Sequence, residues 1–248
     1  MEKKVTEKVL NLLKDDSEYY AGLGKQFLSN SDIGTLFKNP KRFGIGLDEN
    51  KTLIMGRYFH TKILEPEKLD EFHIYSGAVR RGKAYEDFLA EHQISFCLLE
   101  SEQHQVDEWV DTMMSHLDFH DLIREEGNQY EEPMVKEIYG ELWKGKADII
   151  GKDFVYDLKT SGDILSFKNS VYKFNYDSQA YIYQELFGKP LMFLVIDKNT
   201  LMMGMYQLSE ETLARGEGKV KKAVEIYRKF FGEHPTEDVN QFYYNEII

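Results

Sequence analysis

Cysteine is almost absent from the sequence, which contains one such residue in 248. A lone thiol cannot form an internal disulfide, and cysteine-based zinc sites and iron–sulfur clusters need several thiolates. Cys97 lies in a mainly apolar segment, residues 94–98, so we interpret it as a buried residue of the core. A chain without disulfides is typical of a reducing compartment, and we predict a cytoplasmic protein.

Long hydrophobic runs are absent as well. The longest uninterrupted apolar stretch, residues 191–196, has six residues, whereas a helix that crosses a bilayer needs about 20. Charged residues follow Met1 directly, so we expect neither a membrane span nor a secretory signal. The five prolines stand singly, and no repeat or linker divides the chain. These features predict one domain over residues 1–248.

Basic charge is scarce, since 31 Lys and Arg residues face 43 Asp and Glu residues, for a net charge of −12. By itself this balance disfavours nucleic acid as a partner. The acids are unevenly distributed, however: residues 98–141 contain 13 acidic and two basic residues, and the remainder contains 30 and 29. Basic residues cluster within residues 25–62, 80–83 and 215–229. Separate acidic and basic surfaces are compatible with DNA binding, although such runs commonly form solvated helix faces.

The hydrophobic pattern changes from helical spacing to strand alternation near residue 125. Before that point, apolar residues recur at helical spacing, and we expect helices near residues 5–13, 33–37, 53–64, 79–91 and 102–117. After it, the pattern predicts three strands in a β-meander, a helix, two strands and a last helix, near residues 132–139, 142–150, 154–159, 176–187, 191–197, 201–207 and 209–232.

Together these elements predict a mixed α/β (α+β) fold, in which helices flank a central mixed sheet that contains an antiparallel β-meander. We expect a mainly helical N-terminal part (1–125), a sheet core that carries the chemistry (126–207) and a C-terminal helix and tail (208–248). Hydrophobic residues form 42% of the chain and aromatic residues 14%, which is enough for a large core.

Three charged residues interrupt the apolar strands of the predicted meander. Asp148 lies on one strand, and alternation places Asp157 and Lys159 on one face of the next. Asp and Lys are poor strand residues, which suggests a purpose beyond packing. Hard oxygen ligands of this kind suit Mg²⁺ or Mn²⁺, and a nearby lysine can orient a water molecule. A surface hairpin with an ordinary Asp–Lys ion pair explains so short a pattern about as well.

The hairpin resembles the active-site core of the PD-(D/E)XK nuclease superfamily. Its residues 157–160, Asp-Leu-Lys-Thr, are similar to the form found in the branch of RecE, RecB and phage exonucleases. Three other segments resemble that branch in the same order along the chain: an opening helix, a helix whose histidine ligates metal, and a Gln-x-x-x-Tyr helix after the catalytic strands. They lie at residues 28–40, 55–67 and 176–183.

The resemblance implies a restriction-endonuclease-like core that binds one or two Mg²⁺ or Mn²⁺ ions. The implied metal ligands are His60, Asp148, Asp157 and the backbone carbonyl of Leu158. Lys159 is expected to position the attacking water. An upstream acid is also implied, and Glu131 fits the family spacing before a proline better than Glu132.

Further residues are implicated by the same resemblance. Gln179 and Tyr183, one turn apart on a helix, are expected to contact the scissile strand or to support the site. Each of them, and His60, would more often be an ordinary helix residue if it stood alone. Basic side chains are expected to bind DNA phosphates, namely Arg57, Arg80, Arg81 and Lys83.

The activity that the resemblance implies is a metal-dependent DNA exonuclease that hydrolyses phosphodiester bonds of linear double-stranded DNA, in phage-type recombination or DNA end processing. It also implies a ring-shaped homo-oligomer, a single-strand annealing protein as partner, and a cytoplasmic location in a bacterium or a phage-infected host. A structure-specific or restriction-type endonuclease and a non-catalytic DNA-end-binding module with the same fold remain as alternatives. No helix-turn-helix or zinc finger is recognisable in the sequence, which favours the exonuclease over an enzyme that reads internal sites.

Overall fold

Helices make up most of the first half of the chain, as the apolar spacing predicted. The structure is a computed structural model that describes residues 5–46 and 48–245; residues 1–4, 47 and 246–248 of the predicted domain lie outside it. Apart from short 3₁₀ turns, the elements of this half are α1 (Glu7–Leu12), α2 (Asp16–Tyr20), α3 (Asn30–Lys38), α4 (Lys51–Leu64), β1 (Ile74–Tyr75), α5 (Lys83–His92), β2 (Leu98–Leu99), α6 (Glu100–Ser115) and α7 (Leu117–Arg124).

The second half forms a five-stranded mixed sheet with helices, which confirms the predicted fold class. The strands lie side by side in chain order, and each neighbouring pair is antiparallel except the parallel pair β5–β6, which α8 and α9 connect. The elements of this half are β3 (Gln129–Ile138), β4 (Glu141–Ile150), β5 (Val155–Ser161), α8 (Phe167–Lys173), α9 (Tyr176–Phe187), β6 (Leu191–Asp197), β7 (Met203–Gln207) and α10 (Glu210–Phe230).

Strands β4 and β5 separate soon after their connecting turn. They pair only at Ile149 with Tyr156 and at Ile150 with Val155, whereas β5 pairs with β6 over its whole length. Beyond the paired residues, the backbone N–H of Leu158 donates to the side chain of Asp148 instead of a backbone carbonyl. A buried N–H needs an acceptor, and here a carboxylate supplies it. The sheet therefore opens at the position of the predicted acidic residues.

Helices pack on both faces of the sheet and bury the two larger of three apolar clusters in the described residues. Helices α3, α9 and α10 cover one face, where Trp143 and Phe193 are fully buried. Helices α4, α6 and α7 cover the other, around Phe59, Trp109 and Ile123. Each helix layer keeps a polar outer side, and no helix in the described ranges 5–46 and 48–245 is long and apolar enough to cross a membrane.

Several elements differ from the sequence-based predictions. Helix α5 begins at Lys83 instead of residue 79, because Gly82 turns the chain with a φ of +84°. Strand β7 begins at Met203 instead of residue 201, because Leu201 adopts a φ of +59°. The elements α2, α7, α8, β1 and β2 were not predicted, since each has eight residues or fewer, whereas an apolar period is read over about 11–18 residues.

Helices α9 and α10 approach each other closely at a glycine. A Cβ atom on Gly216 would lie 2.2 Å from the carbonyl oxygen of Asp177 and 2.9 Å from the nitrogen of Ser178. The Asp177 side chain is fully buried, and it accepts hydrogen bonds at 2.8 Å from both Arg215 and Lys219. The contact holds α9, which carries the Gln-x-x-x-Tyr residues, against the C-terminal helix.

This contact predicts opposite effects for two alanine substitutions in α10. Gly216→Ala should lower the free energy of unfolding by about 1–3 kcal/mol, because the new methyl group has no room. Gly218→Ala is the matched control: nothing lies within 4 Å of its Cβ position, so the better helix propensity of alanine should raise the free energy by up to about 1 kcal/mol. Urea-induced unfolding of both variants measures the difference, and equal effects would contradict the close contact.

Candidate active site

The opening between β4 and β5 brings Asp148 to the histidine of α4. Asp148 Oδ2 accepts the N–H of Leu158 at 2.7 Å and lies 3.2 Å from Nδ1 of His60. Phe59 and Ile63, on either side of that histidine, are fully buried and fix α4 against the sheet. The imidazole of His60 is therefore held at the edge of the opening, and the structure brings two of the predicted metal ligands together.

Glu131 joins this pair from the neighbouring strand. Tyr130 pairs with Ile149 and Glu132 with Ala147, so Glu131 lies opposite Asp148 in the register of β3 and β4. Its φ of +51° is uncommon for a residue other than glycine, and such backbone is concentrated at functional sites. The adjacent Glu132 instead forms an ion pair with Lys14 at 2.7 Å. Of the two acids that the spacing left in competition, Glu131 faces the site.

His60, Glu131 and Asp148 form a cluster whose chemistry suits a divalent cation. Each offers one ligand atom, and these atoms all lie within 4.8 Å of one another. Burial, together with the nearby Asp148 carboxylate, raises the pKa of Glu131 to about 8. Burial opposes protonation of His60, but Asp148 outweighs it and raises the pKa of the imidazole. Two close carboxylates beside an imidazole form an excess of negative charge that a bound cation would stabilise.

Asp157 and Lys159 form a second group on the next strand. The Lys159 ammonium lies 2.5 Å from Oδ2 of Asp157, and the side-chain amide of Gln179 donates to Oδ1 at 2.6 Å. Burial raises the pKa of Asp157, and the ammonium offsets part of that rise. Both oxygens of this carboxylate are thus held in place, and the structure brings three more of the predicted residues together.

Lys159 carries a positive charge in this environment. Burial opposes its protonation, but the Asp157 carboxylate outweighs burial and raises the pKa of the ammonium above its ordinary value. Its Nζ also lies 5.0 Å from the centre of the Tyr176 ring, which is a cation–π contact. A lysine that keeps its proton can donate a hydrogen bond and supply positive charge, whereas a general base would have to be neutral.

Gln179 and Tyr183 support the site from α9. The Tyr183 hydroxyl donates to the backbone carbonyl of Lys146 at 2.7 Å, two residues before Asp148, and its ring is buried. Gln179 acts through Asp157. Of the two roles that the resemblance left open, these contacts fit support of the site, and both are candidate positioning residues. The role of the Leu158 carbonyl stays a prediction.

The four predicted phosphate-binding residues differ in their surroundings. Arg80 is held by Glu102 and by the carbonyl of Cys97, contacts that tie the segment before α5 to the start of α6. These contacts engage the Arg80 guanidinium within the protein, and its role in phosphate binding stays a prediction. Arg57 is paired with Glu49 at 2.8 Å. The other two predicted residues of the basic cluster, at 81 and 83, are exposed to solvent.

Tyr176 belongs to the site but was not predicted from the sequence as a functional residue. Its ring lies close to the Lys159 ammonium. A ring face attracts an ammonium without neutralising its charge. It stands at the first position of α9, three residues before Gln179. One turn of helix brings residues three apart to the same face, and that spacing was the available signal.

Comparison with known proteins places this site in a family. No curated protein sequence is significantly similar to the chain. Among solved structures, the chain is similar to a protein of Eubacterium rectale provisionally named an exonuclease, with a TM-score of 0.59 and 19% identity over 90% of this chain and 86% of that one. The chain is also matched to a phage-related exonuclease of Haemophilus somnus 129PT at 15% identity. That match covers 82% of this chain and 94% of the other, with a TM-score of only 0.36. The first likeness shows a shared fold.

The family model that matches the sequence is described as a PDDEXK-like domain of unknown function (DUF3799), and it covers residues 36–234. This range contains the cluster at β3, β4 and α4, the Asp–Lys pair of β5 and the supporting residues of α9. The resemblance that the hairpin motif suggested is therefore confirmed. The chain belongs to the PDDEXK-like family DUF3799, within the PD-(D/E)XK nuclease superfamily.

Proposed function

We propose that the protein is a divalent-metal-dependent deoxyribonuclease that degrades linear double-stranded DNA from its ends. One observation carries the proposal: the cluster of His60, Glu131 and Asp148 lies at the same opening of the sheet as the Asp157–Lys159 pair. Cation ligands and a fixed positive charge are two components that metal-dependent phosphodiester hydrolysis uses. A non-catalytic DNA-end-binding module would have no need for both.

The acidic residues and His60 would hold the metal. Mg²⁺ prefers oxygen ligands and Mn²⁺ also accepts imidazole, so the mixed set of His60, Glu131 and Asp148 fits either ion. When bound, the ion supplies Lewis acidity and lowers the pKa of the attacking water. Asp157, whose Oδ1 is fixed by Gln179, is the candidate ligand for a second ion at the other side of the opening.

Lys159 supplies a positive charge that belongs to the protein, in addition to that of a bound metal ion. Its ammonium is fixed by Asp157 and by the Tyr176 ring, so it needs no rearrangement to donate to a phosphate oxygen or to the attacking water. Negative charge grows on the phosphate during hydrolysis, and a preorganised donor in a buried site stabilises that charge more than water can. The positioning residues Gln179 and Tyr183 hold the two strands that carry these groups.

Three considerations support action on DNA ends. The described chain offers a nuclease-like core with flanking helices but no recognisable base-reading module. The Eubacterium rectale protein of similar fold is provisionally named an exonuclease. The third is the family resemblance, which also implies a ring-shaped homo-oligomer, a single-strand annealing partner and a cytoplasmic location. All three of these stay predictions. A structure-specific or restriction-type endonuclease is the alternative outcome of the test below.

Closed and linear DNA distinguish the exonuclease from the endonuclease. With Mg²⁺, a linearised plasmid should be degraded to small products, while the covalently closed form of the same plasmid should survive, because it offers no end. Both forms are incubated side by side and separated on a gel, with EDTA as the control. Nicking or linearisation of the circle at a similar rate would reject end dependence.

The role of Lys159 predicts a large loss of turnover. Lys159→Ala should lower kcat for DNA hydrolysis by about 100-fold or more, the scale of one lost transition-state donor. Lys152→Ala, in the exposed turn between the same strands, should leave kcat unchanged. Both are measured with saturating Mg²⁺ and DNA, after circular dichroism has verified folding. A normal kcat for the first variant would make Lys159 a structural residue.

Two adjacent glutamates test the metal cluster without an activity measurement. Glu131→Gln should weaken Mn²⁺ binding by about tenfold or more, because an amide oxygen is a poorer ligand for a hard cation than a carboxylate. Glu132→Gln should leave it unchanged, since that side chain is paired with Lys14. Isothermal titration calorimetry measures both affinities. Equal losses for the two variants would contradict the assignment of Glu131.

A further inference from the structure

A surface beside Lys159 combines exposed aromatic rings with lysines. It consists of Lys168, Tyr172 and Lys173 of α8 together with Phe174, which follows that helix, and we call it the α8 surface. Residues 164–174 contain these two lysines and no Asp or Glu, in a chain that has 43 acidic residues. The rings of Tyr172 and Phe174 are 54% and 51% exposed. About half of each of these two residues is therefore left open to solvent.

Helix α8 presents this surface on a fixed support. Its residues Phe167 and Val171 are buried in the core that covers one face of the sheet. The exposed residues follow on the other side of the helix, and the Lys173 ammonium lies 5.3 Å from the centre of the Phe174 ring. A positive charge and an aromatic face are thus placed side by side and open to solvent.

The α8 surface is joined to the active site through one ring. Phe174 packs against Tyr176, with ring centres 5.8 Å apart, and the Tyr176 ring lies 5.0 Å from Nζ of Lys159. Phe174 is therefore two contacts away from the charge proposed to face the scissile phosphate. Successive nucleotides of a stacked strand rise by about 3.4 Å, so this position is within about three nucleotides of that phosphate.

We propose that Phe174 stacks on a nucleobase of the DNA strand being cut, and that Lys168 and Lys173 bind the phosphates beside it. The inference rests on the proposed function and names the means by which the substrate strand is held. Exposed aromatic rings flanked by cations are what a single strand requires, because every base offers a π-face and every linkage a negative charge. Tyr172 is left out of the stacking role, because the Arg215 guanidinium already covers its ring at 3.5 Å.

Fluorescence can detect the stacking directly. Both tryptophans of the chain, Trp109 and Trp143, are buried, so a Phe174→Trp variant gains one exposed indole. Adding a single-stranded oligo(dT), with Ca²⁺ in place of Mg²⁺ to limit turnover, should quench that emission in a saturable way. The same oligonucleotide should leave Tyr243→Trp, at another exposed aromatic position, unquenched.

Affinity gives the quantitative test. Phe174→Ala should weaken oligo(dT) binding by about 5- to 150-fold, the range for loss of one base–aromatic stack. Phe174→Tyr should retain the affinity, because it keeps an aromatic ring. Tyr243→Ala, the control, should leave the affinity unchanged. Lys173→Gln should reduce the slope of log affinity against log salt by about 0.7, the value for one phosphate contact on a single strand. Fluorescence anisotropy of a labelled oligonucleotide measures both quantities.

The outcomes separate this inference from the proposed function. Normal DNA cleavage with normal affinity of a folded Phe174→Ala variant would overturn the inference alone. Absence of cleavage, with quenching of Phe174→Trp retained, would remove the proposed nuclease activity and support the stacking site. If Phe174→Ala changes the oligomeric state in sedimentation without DNA, a second copy of the chain covers the ring, and the inference is overturned.

Discussion

The separation of β4 from β5 is the constraint on which the site depends. Once the strands part, the N–H of Leu158 has lost its backbone acceptor, and the Asp148 carboxylate takes that place at 2.7 Å. A buried donor without a partner costs about 1–3 kcal/mol, so the carboxylate is needed by the sheet as well as by the chemistry. The same hydrogen bond fixes the oxygen that His60 approaches. Fold and site are therefore stabilised by one interaction.

Charge within the opening is unbalanced in a way that favours a cation. Three carboxylates, those of Glu131, Asp148 and Asp157, face one ammonium and one imidazole. The protein relieves the excess in part by raising the pKa of Glu131 to about 8 and in part by raising that of His60. A divalent ion would replace those protons as the compensating charge. The acid-rich segment at residues 98–141 thus includes one candidate ligand, Glu131, while residues 164–174, which contain the α8 surface, have no Asp or Glu.

Much of the fold was readable from the sequence, because the hydrophobic period depends on local neighbours. Helix α9 and strand β6 have the predicted bounds, and the hairpin motif located Asp148, Asp157 and Lys159. Two features were not readable from the sequence: the left-handed backbone at Glu131 and the separation of β4 from β5. Strand alternation predicts which face of the sheet a side chain lies on, but it does not predict which residue of the neighbouring strand pairs with it. The contact of Arg80 with Glu102 was not readable for a similar reason, because Glu102 lies 22 residues further along the chain, on α6.

Anomalous diffraction from crystals soaked in Mn²⁺ tests the central claim most directly, because it locates the ion without relying on activity. We expect a peak in the opening between β4 and β5, within about 2.0–2.3 Å of a carboxylate oxygen of Asp148 and of a ligand atom of His60 or Glu131. A peak only at other acidic residues, or none at millimolar Mn²⁺, would contradict the assignment of this cluster as the metal centre of a nuclease.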